Sequence, residues 1–122
     1  LVLGKEEIED KSVLDTLLKV ARRFNAKVYV ITIENSEGIY GYSSTEEKNE
    51  NSLEYYLEDF YSEHVFIENP DVVKGVLEYA SSKELEMIAI LPNNHAKKSE
   101  PSKGALTHML TLHSELPVLA LD

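Results

Sequence analysis

The chain has 122 residues, no cysteine and a formal net charge of −10 at pH 7. That length suits one domain with a real core, and the missing thiols exclude disulfide frameworks, thiolate catalysis and cysteine-based zinc sites. The acidic balance argues against nucleic-acid binding, which needs clustered Lys and Arg.

Residues 1–4, Leu-Val-Leu-Gly, read as a short buried strand. Leu1 is not an initiator methionine, so residues 1–122 are expected to form a single domain whose first strand is truncated or entered part-way through a longer protein. Asp10 or Ser12 suits the cap of the helix that follows. Val13, Leu14, Leu17, Leu18, Val20, Ala21 and Phe24 repeat with a 3.6-residue period and predict one broad buried face. Lys19, Arg22 and Arg23 favour its C-terminal end, and Asn25 suits a left-handed terminator. Residues 28–33 form an apolar and β-branched run, the pattern of a strand covered on both faces.

Residues 34–51, where Gly38 and Gly41 frame Tyr40, predict a long exposed loop. Residues 34–68 hold ten acidic side chains and one lysine, so almost all of the net charge arises there. Leu53, Tyr56, Leu57 and Phe60 form an apolar stripe on an otherwise acidic helix. Five of the seven tyrosines fall between Tyr40 and Tyr61. Tyrosine beside acid fits a partner surface, but half-buried rings flanking an amphipathic helix explain the spacing more simply. Residues 64–67 predict a short strand. Asn69-Pro70 then opens a helix, with asparagine as cap and proline at the first helical position. Val72, Val73, Val76, Leu77 and Ala80 give its buried face. Gly75 costs that helix about 1 kcal/mol relative to alanine, which implies close packing against a neighbour.

Residues 86–91 are an acidic residue and an apolar run, followed by a polar loop over 92–101, a helical pattern over 102–113 and a second apolar run over 116–121. This is a βαβ unit. The whole order predicts an α/β fold with a doubly wound, five-stranded parallel sheet, Rossmann-like, and about four helices. Ligands of such sheets lie in the crevice outside the carboxyl ends of the strands, here walled by residues 92–101. Lys97, Lys98 and Lys103 cluster there. The helix start near Ser102 adds free amides for an anion, and Ser102 and Thr107 add hydroxyls.

The stretch 86–121 resembles the C-terminal end of a universal stress protein domain. That family ends with an acidic residue, an apolar strand, Gly-x-x-Gly, nine residues, Gly-Ser/Thr, a helix and a closing Pro-Val-Leu strand. Residues 17–33 are similar to the family's first helix and second strand. The resemblance implies the adenine nucleotide alpha hydrolase-like form of the fold. Matching the motifs puts Leu91 at the first glycine and Asn94 at the second. Nine residues later, Gly104 stands at the third and Ala105 replaces the phosphate-binding hydroxyl. Lys5 stands where the family carries an aspartate that hydrogen-bonds adenine, and a lysine has no acceptor. The change at Ala105 alone forfeits a hydrogen bond to an anion worth about 1.5–3 kcal/mol, roughly 10- to 150-fold in affinity.

The resemblance therefore implies a degenerate nucleotide or anion loop at Asn94, Gly104, Ala105 and Thr107. It implies a non-enzymatic, dimeric stress-response module of the cytoplasm that has largely lost ATP binding and carries no cofactor. The alternatives are a member that binds ATP or AMP with weak hydrolysis, and an acidic partner-binding module. No catalytic residues stand out, because no serine occupies a Gly-x-Ser-x-Gly elbow. No metal site is expected: His108 and His113 lie about 140° apart around a helix, and His64 and His95 belong to other elements. No nucleic-acid or membrane partner is expected either, since no apolar run approaches the ~20 residues of a membrane span.

The last expectation concerns self-association. Val118, Leu119, Ala120 and Leu121 are apolar at every position, behind a proline at the strand start. An apolar edge strand is a template for another chain. In the family resembled, the matching strand commonly pairs with its counterpart about a two-fold axis. This strand is therefore expected to build a homodimer, or to pair with a second similar domain in a tandem protein.

Overall fold

The computed structural model describes residues 1–3, 7–8, 10–34, 44–91, 110 and 112–121. Helix α1 spans Ser12–Phe24 and buries Val13, Leu14, Leu17, Leu18 and Ala21; of the expected face, Val20 is only half-buried and Phe24, at the last position of the helix, is 65% exposed. Its first turn is tied down by Asp10, whose Oδ1 accepts from the Ser12 amide at 3.0 Å and the Ser12 hydroxyl at 2.6 Å. The Ser12 hydroxyl and then its amide hold the Asp10 carboxyl below its ordinary pKa. Asn25 ends the helix in the left-handed conformation, at φ 49°, as its short polar side chain allows.

Strand β1 (Val28–Glu34) is followed by α2 (Ser44–Leu57), a 3-10 turn (Glu58–Phe60), β2 (Tyr61–Glu68), α3 (Val72–Ser82), β3 (Ile88–Ile90) and β4 (Val118–Ala120). Three boundaries differ from the sequence expectation. The loop expected over 34–51 ends early, because α2 starts at Ser44. Strand β2 extends on both sides of residues 64–67, since its backbone pairs with all of β1 whatever its side chains. Helix α3 begins after Asp71, whose Oδ1 accepts from the Lys74 amide at 3.2 Å. Asn69 instead accepts from the Asp71 amide at 2.9 Å, a local turn that delivers the chain to the cap.

Strands β1 and β2 pair in parallel, as do β3 and β4. Residues 1–3 lie between the two ladders. Val2 bridges to both Ile31 and Ile90; its amide donates to Ala89 O, and the Leu3 amide to Ile31 O, each at 2.8 Å. Among the described residues this makes four strands and three α-helices. The expected last helix is seen only at Leu110, Leu112 and His113, and the rest of 102–113 lies outside the described residues.

Side chains alternate across the strands and feed two cores. On one face α1 and α2 meet Leu3, Val28, Val30, Ala89 and Leu121. On the other, Val76 and Tyr79 of α3 and Leu110 meet Ile31, Ile88 and Ile90. Helices therefore cover both faces of parallel strands, the arrangement that makes their near-continuous apolar sequences stable. Leu14, Leu53, Leu57 and Leu110 are fully buried, and cutting any of them to alanine costs about 2–5 kcal/mol.

Candidate ligand crevice at the carboxyl ends of the strands

The chain leaves residues 1–3 for β1 and β2 on one side and reaches β3 and β4 on the other. The connections reverse direction there, so the carboxyl ends of residues 1–3 and β3 flank the crevice where such folds take ligands. Its described wall is apolar. Leu91, the first residue after β3, is half-buried and packs against the core shared by Leu3, Ile8, Leu53 and Leu57. Ile8, on the lead-in to α1, is 1% exposed.

One polar group is built into this wall. Asn49, in the second turn of α2, is 1% exposed, and its Oδ1 accepts the Ile8 amide at 2.9 Å. A buried amide left without a partner costs about 1–3 kcal/mol, so this bond fixes the lead-in to α1 against α2. The sequence reading missed both residues. The available signal was position: Asn49 precedes Leu53 and Leu57 by four and eight residues, so it continues their stripe.

The expected nucleotide-loop residues Asn94, Gly104, Ala105 and Thr107 lie outside the described residues, as do Lys5, Lys97, Lys98, Ser102, Lys103, Tyr40 and Tyr42. The matched position that is described, Leu91, offers no hydrogen-bond donor from its side chain to a phosphate. Its inward packing suits an apolar contact.

The titratable groups fall elsewhere. Tyr79 is buried and its hydroxyl donates to Glu63 at 3.2 Å, while Lys83 Nζ lies 3.5 Å from the same carboxylate. Burial, then the Glu63 charge and its hydrogen bond, push the Tyr79 phenol up to about 12. Burial, followed by Glu50, Glu54 and Glu63, raises Tyr61 to about 12. Both rings belong to tight packing of β2 against its helices. Tyr56 packs half-buried on the core, whereas Tyr55 is 77% exposed.

His64 Nε2 lies 2.9 Å from the buried Thr32 Oγ1 and its ring stacks on Phe66. Among the described residues no group of three or more His, Asp or Glu could hold a metal ion. No described helix is long and apolar enough to cross a membrane.

A cavity of about 520 Å³ opens at the opposite, amino ends of the strands, lined by Leu1, Leu17, Phe24, Tyr29 and Met87 among others. The lysines at its rim are engaged: Lys27 Nζ donates to Asp59 O at 2.7 Å, and Lys83 pairs with Glu63.

No protein-family model and no curated protein matches the sequence. Solved structures match it along its whole length. A universal stress protein from Archaeoglobus fulgidus superposes with a TM-score of 0.65 at 15% identity, over 99% of this chain and 96% of that one. UspA from Lactobacillus plantarum gives 0.67 at 9% identity, over 99% and 95%. The chain has the universal stress protein fold. A universal stress protein solved in complex with cAMP gives 0.66 at 16% identity, over 99% of this chain and 94% of that one. The Archaeoglobus fulgidus protein is also known in complex with dAMP. In this chain the described residues at that crevice carry aliphatic side chains and one amide.

Proposed function

We propose that this chain is a member of the universal stress protein family, a single five-stranded, doubly wound domain with four helices. It acts in the cytoplasm as a non-enzymatic, dimeric regulatory module and has largely lost ATP binding. The observation that supports this reading is Leu91. The resemblance matches it to a phosphate-loop glycine, and it carries a bulky side chain that packs against the core on the α1 and α2 face. A glycine there lets backbone approach a phosphate; leucine substitutes apolar bulk and supplies no donor. Lys5 and Ala105 at the matched positions point the same way, since each lacks the group that the family's ligand would meet.

A module without chemistry acts through association, and the apolar closing strand supports a homodimer. Pro117 O accepts from Ile88 and Leu121 N–H donates to Ile90. By the alternation of a parallel ladder, the backbone groups of Val118 and Ala120 face the outer edge.

A second reading has its own support. Two of the similar structures hold cAMP and dAMP, adenine nucleotides with one phosphate, and such a ligand asks less of a phosphate loop than ATP does. Mass analysis of nucleotide released from the purified, denatured protein separates the readings, together with calorimetric titration with ATP and AMP. The main reading expects an empty protein and no heat with either. Stoichiometric ATP overturns it, and AMP binding without ATP binding establishes the second.

A further inference from the structure

We propose that the cavity at the amino ends of the strands is a strand slot, built to take two residues of extended backbone joined to the Leu1 nitrogen and running parallel between β1 and β3. The rungs already made define its walls. On one side the Leu1 nitrogen donates to Tyr29 O at 2.7 Å, Ile31 N–H to Leu1 O at 2.9 Å and Leu3 N–H to Ile31 O at 2.8 Å. Tyr29 and Ile31 of β1 therefore face residues 1–3. On the other side Ile88 N–H donates to Pro117 O and Leu121 N–H to Ile90 O, so Ile88 and Ile90 face β4, whereas Ala89 O accepts from Val2 N–H at 2.8 Å. By the alternation of parallel ladders, the amides of Tyr29 and Ala89 and the carbonyls of Lys27 and Met87 face the gap between β1 and β3. Among the described residues no strand lies between them there. All four line the cavity.

These groups suit one kind of occupant. Ala89 is 5% exposed, and a buried amide needs an acceptor. A strand continued one residue beyond Leu1 accepts from Ala89 and donates to Met87 O; continued a second, it accepts from Tyr29 and donates to Lys27 O. The place of the Leu1 nitrogen disfavours charge, since burial holds the amine down to about 5, and a peptide N–H makes the same bond to Tyr29 uncharged. Side chains agree with the backbone. Leu1 and Leu3 pack on the α1 face, so the second added residue shares that face and meets Val20 and Phe24, which line the cavity. These are the two members of the apolar repeat of α1 that the described residues leave half-buried or exposed. An apolar side chain in the slot covers them. A free apolar molecule fills the space but leaves the four backbone groups unanswered. The slot lies at the opposite end of the strands from the ligand crevice and is independent of nucleotide binding there.

Two valines appended before Leu1 test the slot. Two appended aspartates are the control, because they bring the same backbone with charges that an apolar face excludes. With valines the Ala89 and Tyr29 amides should exchange roughly 10-fold more slowly relative to Ile88, whose amide is already bonded to Pro117. The chain has no cysteine, so a single thiol reports cover. Val20→Cys should be labelled roughly 10-fold more slowly once valines are appended, while the exposed Tyr55→Cys keeps its rate. Unchanged Ala89 exchange in the valine chain overturns the proposal. So does slowing of Ile88 by the same factor, which marks global stabilisation, or equal protection by valines and aspartates, which marks a tethered end that does not enter the slot.

Discussion

Gly75 of α3 lies so close to Ile33 of β1 that an added Cβ would sit 3.1 Å from the Ile33 Cδ1 and 3.2 Å from the Asn69 Cβ. The helix gives up about 1 kcal/mol of propensity at this position to bring its backbone down onto the sheet. Restoring that propensity does not repay the crowding, which typically costs 1–3 kcal/mol in a packed core. Gly75→Ala is expected to destabilise by about 1 kcal/mol, roughly 3–5 °C in Tm, and Gly75→Val by more. A thermal melt in which Gly75→Ala is more stable than wild type would show that α3 shifts freely.

Glu58 and Glu84 hold positive φ, at 52° and 54°. A β-carbon is disfavoured there by about 1–2 kcal/mol. Glu84→Gly is expected to stabilise by about 0.5–1 kcal/mol after glycine's greater freedom in the unfolded chain is set against the relief. Glu58→Gly should gain less, because it also removes the exposed pair with Arg22 at 3.2 Å, worth about 0–1 kcal/mol. Denaturant midpoints of the two variants, compared side by side, check the order.

Tyr61 and Tyr79 should titrate late. Both phenols are raised to about 12 from 10, so between those values the unfolded chain releases protons that the folded chain retains. Stability is therefore fully present below pH 10 and is lost as pH rises through about 12. Phenolate absorbance followed against pH is expected to show a delayed component, and Tyr79→Phe should remove part of it. A single transition near 10 for all seven tyrosines would contradict the packing of both rings.

The closing strand provides a test of assembly. Ala120 is exposed, whereas Val118 packs against the α3-side core, so Ala120 is the position to change. Ala120→Lys should convert a dimer to a monomer in sedimentation at tens of micromolar, with the melt unchanged within about 0.5 kcal/mol. A wild-type chain that already sediments as a monomer removes the dimer from the proposed function.

Restoring the family residues gives the converse experiment. Leu91→Gly, Asn94→Gly, Ala105→Ser and Lys5→Asp together should raise ATP affinity measurably in calorimetry, because the nine-residue spacing to Gly104 is intact. Leu91→Gly also strips a side chain from the core edge, so some loss of stability should accompany the gain. Four restored residues with no binding would mean that the matched positions do not form a phosphate loop.

Where periodicity and burial coincide, the fold was legible. The apolar repeat of α1, its Asn25 terminator and the tight fit at Gly75 all follow from residue type. The start of α2 did not, because its first two turns are acidic and polar and Asn49, the buried residue described there, is a type that pattern reading assigns to loops. Asn69-Pro70 signalled a helix start two residues early, since Asn69 caps a turn and Asp71 caps the helix. The crevice was legible as a place, from the βαβ order alone. Its matched residues were legible only by resemblance, and the buried amide that closes its wall depends on a contact across 41 residues that no local pattern carries.

Residues 1–3 hold hydrogen bonds on both sides, to β1 and to β3. They are thus the seam of the sheet, and Val2 must wait for Ile90, far along the sequence, before its second side is satisfied. Loop closure of that span is slow, so a nascent chain keeps one flank of this central segment open until β3 has emerged. During that interval the unpaired flank is the part of the growing chain most in need of shielding from its neighbours.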